Sequence, residues 1–427
     1  MKVKIMIFFI ILLVLSGVNV IAQTEINGSI ENQASVRMNG PFDFMKINEL
    51  ITLKISSSIE DNVSVYAELD LKHSYGNDDM PGPSLQYGDT DNYLGINLKE
   101  IYIDLAMGIF DFRLGSQVVS WGKVDAFAPT DNINPMDYRG FDILDFSNMK
   151  IAIPMIKADA YLFDYYLHIE GIYIPYFFGN VYPGQDSDWA FYQPPTPDTM
   201  VIDGSTYNVD SVVQNSTVYP SQKLEHSEAG VRAASSIGGY DFSGSYFYTW
   251  DDNPTVHQEF SLDSPGPGDV TVTATPEYHR LHIIGLDLAK AIGELSIRTE
   301  SAFFITEDTE GADSDIADPY LRWAIGADYA FFTDYSINLQ FSEEITNLNF
   351  NTFDQVDTMN TIILGLTGNF LEERLYVELG AIYELEDEDY LIVPKIEYDF
   401  SDSLSLTAGA YFFGGDTGTQ FGSFDEN

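Results

Sequence analysis

The sequence predicts an all-β protein: a single antiparallel transmembrane β-barrel of about 16–18 strands, with one loop folded into the lumen. Three observations predict it. Apolar and polar residues alternate with period two through most of the chain. The connections between these runs are alternately short and long. Aromatic residues gather beside the short connections.

The first 22 residues are set apart from the barrel. Lys2 and Lys4 precede an unbroken apolar run, Ile5 to Leu15, and Val20, Ile21 and Ala22 close it on a small residue. This is the pattern of an export signal, and the run is short for a spanning helix, which needs about 20 residues. Residues 1–22 are therefore assigned to a signal peptide and 23–427 to the barrel. No later stretch is apolar for long enough to span as a helix.

The strands follow in order. Glu25–Arg37 is the first wall strand. Ile51, Leu53, Ile55 and Ile59 alternate with Thr52, Lys54, Ser56 and Ser58, and Val63–Lys72 repeats the pattern after the tight turn Glu60–Asn62. Tyr93–Met107 slips parity near Lys99 and Glu100, which predicts a bulge. Further alternation runs through Leu295–Ile305, Leu375–Glu384 and Leu404–Phe412. Short turns fall at Glu60–Asn62, Gly108–Asp111, Phe163–Tyr165, Gly238–Tyr240, Ile292–Glu294, Phe332–Asp334, Leu371–Glu373 and Ser401–Ser403. Between them lie the long connections Ser74–Asn92, Trp121–Met149, Gly179–Lys223, Asp251–Pro276, Glu307–Asp318 and Ile345–Asp357. Phe110, Phe112, Tyr161, Phe163, Tyr165, Phe331, Phe332, Tyr335, Tyr398 and Phe400 flank the short turns as an interfacial girdle. A soluble propeller would carry a blade signature at fixed period, and none is present.

The rhythm counts to about 17 strands, and bacterial barrels usually have an even number. Leu404–Phe413 then runs outward, followed by the Gly-rich Gly414–Asn427 without apolar alternation. The expectation is that the last strand, of roughly 9–11 residues, is missing from this sequence.

Composition excludes several functions. The formal charge is −46, with 20 Lys+Arg against 66 Asp+Glu, so a nucleic-acid partner is not expected. There is no Cys, which removes disulfides, thiolate metal sites, a thiol nucleophile and a lipid-anchored cysteine. The six His show no accompanying catalytic constellation; His168 and Glu170 share one wall face without a Ser or Asp partner in view. The chain is not read as an enzyme. No cofactor is expected. The acidic run Glu307–Asp315 does not fit the twelve-residue Ca²⁺ loop, so no metal residues are assigned.

In a barrel the polar face points inward. That puts Lys54, Lys72, Arg113, Arg298, Arg322 and Lys395 on the lumen wall. With them are Glu68, Asp70, Glu100, Asp104, Glu170, Glu300, Asp328, Glu344, Glu378, Glu397 and Asp399. Such charges either tune ion selectivity or stiffen the wall as cross-strand pairs.

The most distinctive segment is Arg113–Arg139. A strand ends at Trp121 and Gly122, and a loop rich in Asp, Asn and Pro follows. Phe127, Ile133 and Met136 do not suit a solvated loop, so the segment is expected to fold inward and constrict the channel. Arg113, Gln117, Trp121, Lys123, Asp125, Asp131, Asn134, Asp137 and Arg139 are the constriction candidates. Arg113 and Lys123 would offer cationic donors, the carboxylates would repel anions, and Trp121 would give a packing surface.

Arg113, Gly115, Gln117, Trp121, Gly122, Asn134, Pro135 and Asp137 together resemble the outer-membrane barrels grouped as domain of unknown function 1302, and more loosely the alginate-export barrels. The resemblance covers about 27 residues and implies an outer-membrane porin-like protein without a defined substrate. The expected function is a channel for passive passage of small or elongated solutes, lipid outside and diffusing solutes within, with a weak preference for cations. The alternative is a surface-exposed adhesion barrel whose acidic loops contact partners.

Overall fold

The computed structural model describes residues 23–38, 43–75, 84–86, 92–139, 146–184, 187, 189–190, 198–202, 204–262, 269–332, 334–348 and 356–424. The predicted signal segment lies outside the described residues, as do parts of the predicted loops Ser74–Asn92, Trp121–Met149, Gly179–Lys223, Asp251–Pro276 and Ile345–Asp357.

The strands are β1 (Gln23–Arg37), β2 (Asp43–Glu60), β3 (Val63–Tyr75), β4 (Ser84–Gln86), β5 (Asn92–Met107), β6 (Phe110–Gln117), β7 (Ile153–Leu162) and β8 (Leu167–Ile174). Then come β9 (Thr199–Ile202), β10 (Ser205–Gln214), β11 (Glu228–Ile237), β12 (Tyr240–Trp250), β13 (Thr255–Leu262), β14 (Asp269–Glu277), β15 (Arg280–Ile292) and β16 (Leu295–Ile305). The last are β17 (Tyr320–Phe331), β18 (Tyr335–Thr346), β19 (Asp357–Phe370), β20 (Leu375–Glu384), β21 (Tyr390–Ser401), β22 (Leu404–Gly409) and β23 (Phe412–Gly414). One helical turn, Phe146–Met149, precedes β7.

One sheet joins 19 of these strands. Setting aside the three-residue β4, and counting β22 with β23 as one staggered strand, it makes 17 antiparallel passes among the described residues. Neighbours in sequence are neighbours in the ladder, with β4, β9, β10, β13 and β14 set into the long connections. The predicted short turns fall where expected among the described residues; Thr333, within the turn Phe332–Asp334, lies outside them. Within the described residues β1 pairs only with β2, and β22 only with β21.

Register explains the alternation. Between β2 and β3, Ile51 lies opposite Leu71, Leu53 opposite Leu69, and Ile55 opposite Ala67; between them Thr52 faces Asp70 and Lys54 faces Glu68. The first set points outward and the second inward. The same division continues round the wall: Leu53, Leu71, Ile96, Leu114, Ile156, Leu286, Ile325, Leu339, Ile396 and Leu406 are exposed large apolar side chains. A continuous exposed apolar belt suits lipid. The predicted slip is a bulge: Glu68 lies opposite Glu100 and Leu69 opposite Leu98, leaving Lys99 as the extra residue. Phe163, Tyr165, Phe332 and Phe400 are exposed beside the short turns, as a girdle requires. Arg280 stacks on Tyr248 and Trp250 at the opposite rim, 4.5 and 4.0 Å from the ring centres.

Three expectations need correction. Parts of the connections read as loops, Gly179–Lys223 and Asp251–Pro276, form a second sheet in the order β13–β14–β10–β9. Its β10–β14 pair is parallel, so not every ladder is antiparallel. The run Leu404–Phe413 breaks at Ala410 and Tyr411. The segment after it is not a plain loop. Phe421 and Phe424 are buried, and Phe421 packs with Ala126, Ile363, Ile382, Leu391 and Val393. Two aromatic rings among glycines supply the burial that strand alternation would otherwise show.

Candidate functional site

The segment from Val118 to Tyr138 leaves the wall at the end of β6 and runs down inside the sheet. Along it, side chains from β5, β8 and β15–β18 meet it in turn. Glu100 accepts from the Val118 N–H at 2.8 Å. Glu170 accepts from the Trp121 indole N–H. Glu300 takes the N–H groups of Lys123, Val124 and Thr130 at 2.9, 2.7 and 3.1 Å and the Thr130 hydroxyl at 2.6 Å. Gln340 bridges the N–H and C=O of Ala126. Asp125 is gripped by both terminal guanidinium nitrogens of Arg298, at 2.6 and 2.7 Å, and by the Asn338 amide at 2.8 Å. One strand of chain touches all these wall strands only because the sheet curls round it. The expected inward fold is therefore present.

Arg298 and Asn338 each lie four residues from a short turn, so the segment descends almost to that rim. It returns through Asp131, which pairs with Lys150 at the foot of β7. An apolar layer fills the space between segment and wall. Val119, Trp121 and Ile133 pack with Ile153, Met155, Ile172, Ile174, Phe247, Leu281, Ile283 and Phe304. These wall positions are inward yet apolar, because there the barrel holds protein instead of water.

The constriction candidates divide into groups. Trp121, Gln117 and Asn134 are buried and do not face a passage. Gln117 donates to the Met155 carbonyl at 3.2 Å, and its nearest other acceptors are also main-chain oxygens. Asn134 donates to the Gln117 and Ile151 carbonyls at 3.0 and 2.9 Å and accepts from the Val119 N–H at 2.8 Å. These three fasten the segment to the wall. Arg113 and Lys123 are not free cationic donors. Arg113 forks onto Asp104 at 2.7 and 3.1 Å and lies 3.9 Å over the Tyr102 ring. Lys123 pairs with Asp287 at 3.4 Å. Asp137 and Arg139 chelate each other at 2.7–2.9 Å near the upper rim. Of the three apolar residues expected to pack, Ile133 is buried and Met136 half-buried, whereas Phe127 is exposed, at a bend with φ 49° where the chain reverses.

Most of the wall candidates carry polar partners from neighbouring strands or from the segment. Lys54 meets Glu68 at 3.4 Å, Lys99 meets Asp70 at 3.6 Å, Lys395 meets Glu378 at 3.6 Å, and Arg322 meets Glu344. Arg298 adds Asp328 to Asp125. Glu397 stands opposite Tyr376, and Lys72 opposite Leu50. His168 and Glu170 gain partners the sequence reading missed. Asp159 and Lys157, from β7, complete a tetrad in which Lys157 lies 2.8 Å from Asp159 and 3.3 Å from Glu170, and His168 2.8 Å from Asp159. Asp159, His168 and Glu170 form a cluster of metal-ligand type, but the Lys157 ammonium already supplies the positive charge. The signal was the two-residue spacing of Lys157 and Asp159 on the same inward parity.

Against β1–β3 and β5 a cavity of about 460 Å³ remains open, lined by Glu25, Ser56, Tyr66, Tyr102 and Asp104 among others. The Tyr66 and Tyr102 rings stack at 5.2 Å. Tyr66 donates to Glu68 at 2.6 Å.

A family model described as protein of unknown function (DUF1302) matches residues 56–386. The chain belongs to the DUF1302 family. A search of curated proteins finds no match. Solved porins share the general shape. A BenF-like porin from Pseudomonas fluorescens Pf-5 matches at 9% identity and TM-score 0.49, over 92% of this chain and 94% of that one. OccAB2 of Acinetobacter baumannii matches at 8% and 0.49, over 92% and 93%. Salmonella typhi OmpF, solved with daunomycin, matches at 10% and 0.44, over 92% and 97%. Assignment to DUF1302 rests on the family match and owes nothing to these distant likenesses.

The residues that carried the DUF1302 resemblance now have physical reasons. Gly115 has φ +147°, and a Cβ there would lie 2.2 Å from the Ile101 carbonyl oxygen. Gly122 has φ +101°, and its Cβ would lie 2.7 Å from the Glu300 carboxylate and 2.9 Å from the Thr130 hydroxyl. Only glycine lets the chain turn and press against Glu300 at once. Trp121 anchors the turn in the apolar layer, Asn134 ties both ends together, and Pro135 offers its carbonyl to the Ile151 N–H at 2.8 Å.

Proposed function

We propose that this DUF1302 barrel is a porin-like channel of the outer membrane, passing small hydrophilic solutes passively beside the folded-in segment. The observation that carries the reading is the division of the wall: an exposed apolar belt outside, and paired charges with a fastened inner segment inside. A protein that only displayed loops has no need of a charged, hydrated interior narrowed on one side. The passage runs along β1–β3 and β5, past the stacked tyrosines and the Arg113–Asp104 pair. Charge pairs in a wet pore tune which ions pass, and the acidic surplus tilts the balance toward cations. Single-channel recording in a planar bilayer tests the reading. Stepwise conductance of the inserted protein supports it; inserted, heat-modifiable barrels without conductance sink it and favour the adhesion reading.

A further inference from the structure

Two histidines near the two ends of the β12–β15 connection face each other at the long-loop rim. His257 is the third residue of β13 and His279 directly precedes β15, and their Nε2 atoms are 2.8 Å apart. Each ring has a carboxylate on its other nitrogen. The His279 Nδ1 lies 2.8 Å from Glu307, and the His257 Nδ1 lies 3.3 Å from Asp315. Glu307 and Asp315 are the first and last acids of the run noted in the sequence. Both are held in place: Glu307 accepts from the Arg280 N–H at 3.1 Å and Asp315 from the Gln258 N–H at 3.4 Å.

Proton counting shows what this arrangement asks for. A carboxylate only accepts, so both Nδ1 atoms must carry hydrogen. The Nε2–Nε2 contact requires one hydrogen more. Two neutral imidazoles hold two such hydrogens between them, and this geometry needs three. With only two, a pair of lone pairs meets at 2.8 Å, inside van der Waals contact, so either a third proton or a metal ion has to lie between them. A cation between the Nε2 atoms removes the mismatch: both rings stay neutral, both Nδ1–H groups keep their carboxylates, and both lone pairs are used. Carboxylate–histidine–metal chains are the usual second shell of a histidine metal site. Two Zn–N bonds of about 2.0–2.1 Å at a tetrahedral angle put the nitrogens about 3.3 Å apart, about half an ångström wider than here.

We propose that His257 and His279 form a binding site for a divalent transition metal of the Zn²⁺ type, oriented by Glu307 and Asp315. Imidazole ligands select this class over the hard cations Ca²⁺ and Mg²⁺. Water completes the coordination. The bound ion ties the β13–β14 hairpin to the Glu307–Asp318 connection over the barrel mouth.

The test is calorimetric titration of the full-length folded protein in detergent with ZnCl₂, and separately with CaCl₂. One Zn²⁺ is expected per chain, with affinity falling as pH drops because protons compete for the same lone pairs. His257→Ala and His279→Ala should each abolish binding. Glu307→Gln and Asp315→Asn should weaken it by roughly 10–100-fold. His282→Ala, whose Nδ1 is 2.7 Å from the Tyr246 hydroxyl, should bind Zn²⁺ as the parent does. Heat-modifiable gel mobility establishes folding of each variant. No Zn²⁺ binding, binding that survives loss of either His257 or His279 in a folded barrel, or displacement of Zn²⁺ by Ca²⁺ would overturn the proposal.

Discussion

Replacing Glu300 by Ala should loosen the inner segment without undoing the barrel. Glu300 is 2% exposed, and its carboxylate accepts four hydrogen bonds from the segment. A buried donor deprived of its acceptor costs about 1–3 kcal/mol. Water in the lumen reaches part of the vacated site, so the lower end applies, and four donors sum to about 4 kcal/mol. At 1.4 kcal/mol per decade that is nearly a thousand-fold shift in the local equilibrium. The Trp121–Glu170, Arg298–Asp125 and Gln340–Ala126 anchors remain, so release is confined to the stretches on either side of Asp125 and Ala126, Gly122–Val124 and Phe127–Thr130. The strand ladder is untouched, because Glu300 and its neighbours keep their main-chain pairing with β15 and β17. In planar bilayers E300A should show higher conductance and more frequent substates than the parent. Glu300→Gln, which keeps one acceptor oxygen and loses the charge, should fall between. Heat-modifiable mobility checks insertion. If E300A folds and inserts normally and its conductance trace matches the parent, the carboxylate does not hold the segment and the reasoning fails.

Trp121→Ala should cost about 3–5 kcal/mol by emptying the centre of the apolar layer, read as a lower urea midpoint of the folded band on gels. Gly122→Val should lower the same midpoint through strain of about 1–3 kcal/mol and collision with Glu300, and a substitution at Gly184, which has open space and no positive φ, is the control. Reversal potentials in a KCl gradient should show weak cation preference. Asp104→Asn, which frees Arg113, should move them toward anions, and no movement would remove that pair from the passage. Asp308 is held below the usual carboxylate range by N–H groups of Asp313, Ala312, Glu310 and Gly311. The order this lends to its loop is present above the ordinary carboxylate pKa and lost as pH falls through the lowered value. Protease cleavage within Glu307–Asp318 should therefore stay slow at neutral pH and rise only in strong acid.

The wall was legible because its information is local. Period two assigns each side chain to lipid or lumen, and a turn such as Glu60–Asn62 fixes the register of its hairpin. Even the bulge at Lys99 showed as a parity slip. The role of Glu300 was visible only as one polar residue among many, since its partners lie about 170 residues earlier. Gln117 and Asn134 looked like pore residues because amides are polar, and nothing local says that their amide N–H groups donate to main-chain carbonyls inside the fold. The outer sheet was missed although Asp269–Glu277 alternates well, with Val270 and Val272 buried. Its partner β10 pairs in parallel across a long separation, and such pairing leaves no turn signal.

The charge pattern of the lumen follows from the folded-in segment. Lys157 lies between Asp159 and Glu170, Arg298 between Asp125 and Asp328, and Asp287 draws both Lys123 and Arg232. Cations that meet the segment or its anchors are thus committed to carboxylates, and those on the far wall, Lys54 and Lys99, meet Glu68 and Asp70. A permeating anion has to compete with a carboxylate that is already bonded and close. On the proposed channel reading, a permeating cation would meet carboxylates not matched by a cation, in a chain that holds 66 Asp+Glu against 20 Lys+Arg. The pairing that stiffens the wall and the field that sorts ions are therefore one arrangement. Fastening the segment pairs the lumenal cations with carboxylates, and the proposed cation preference follows from that pairing.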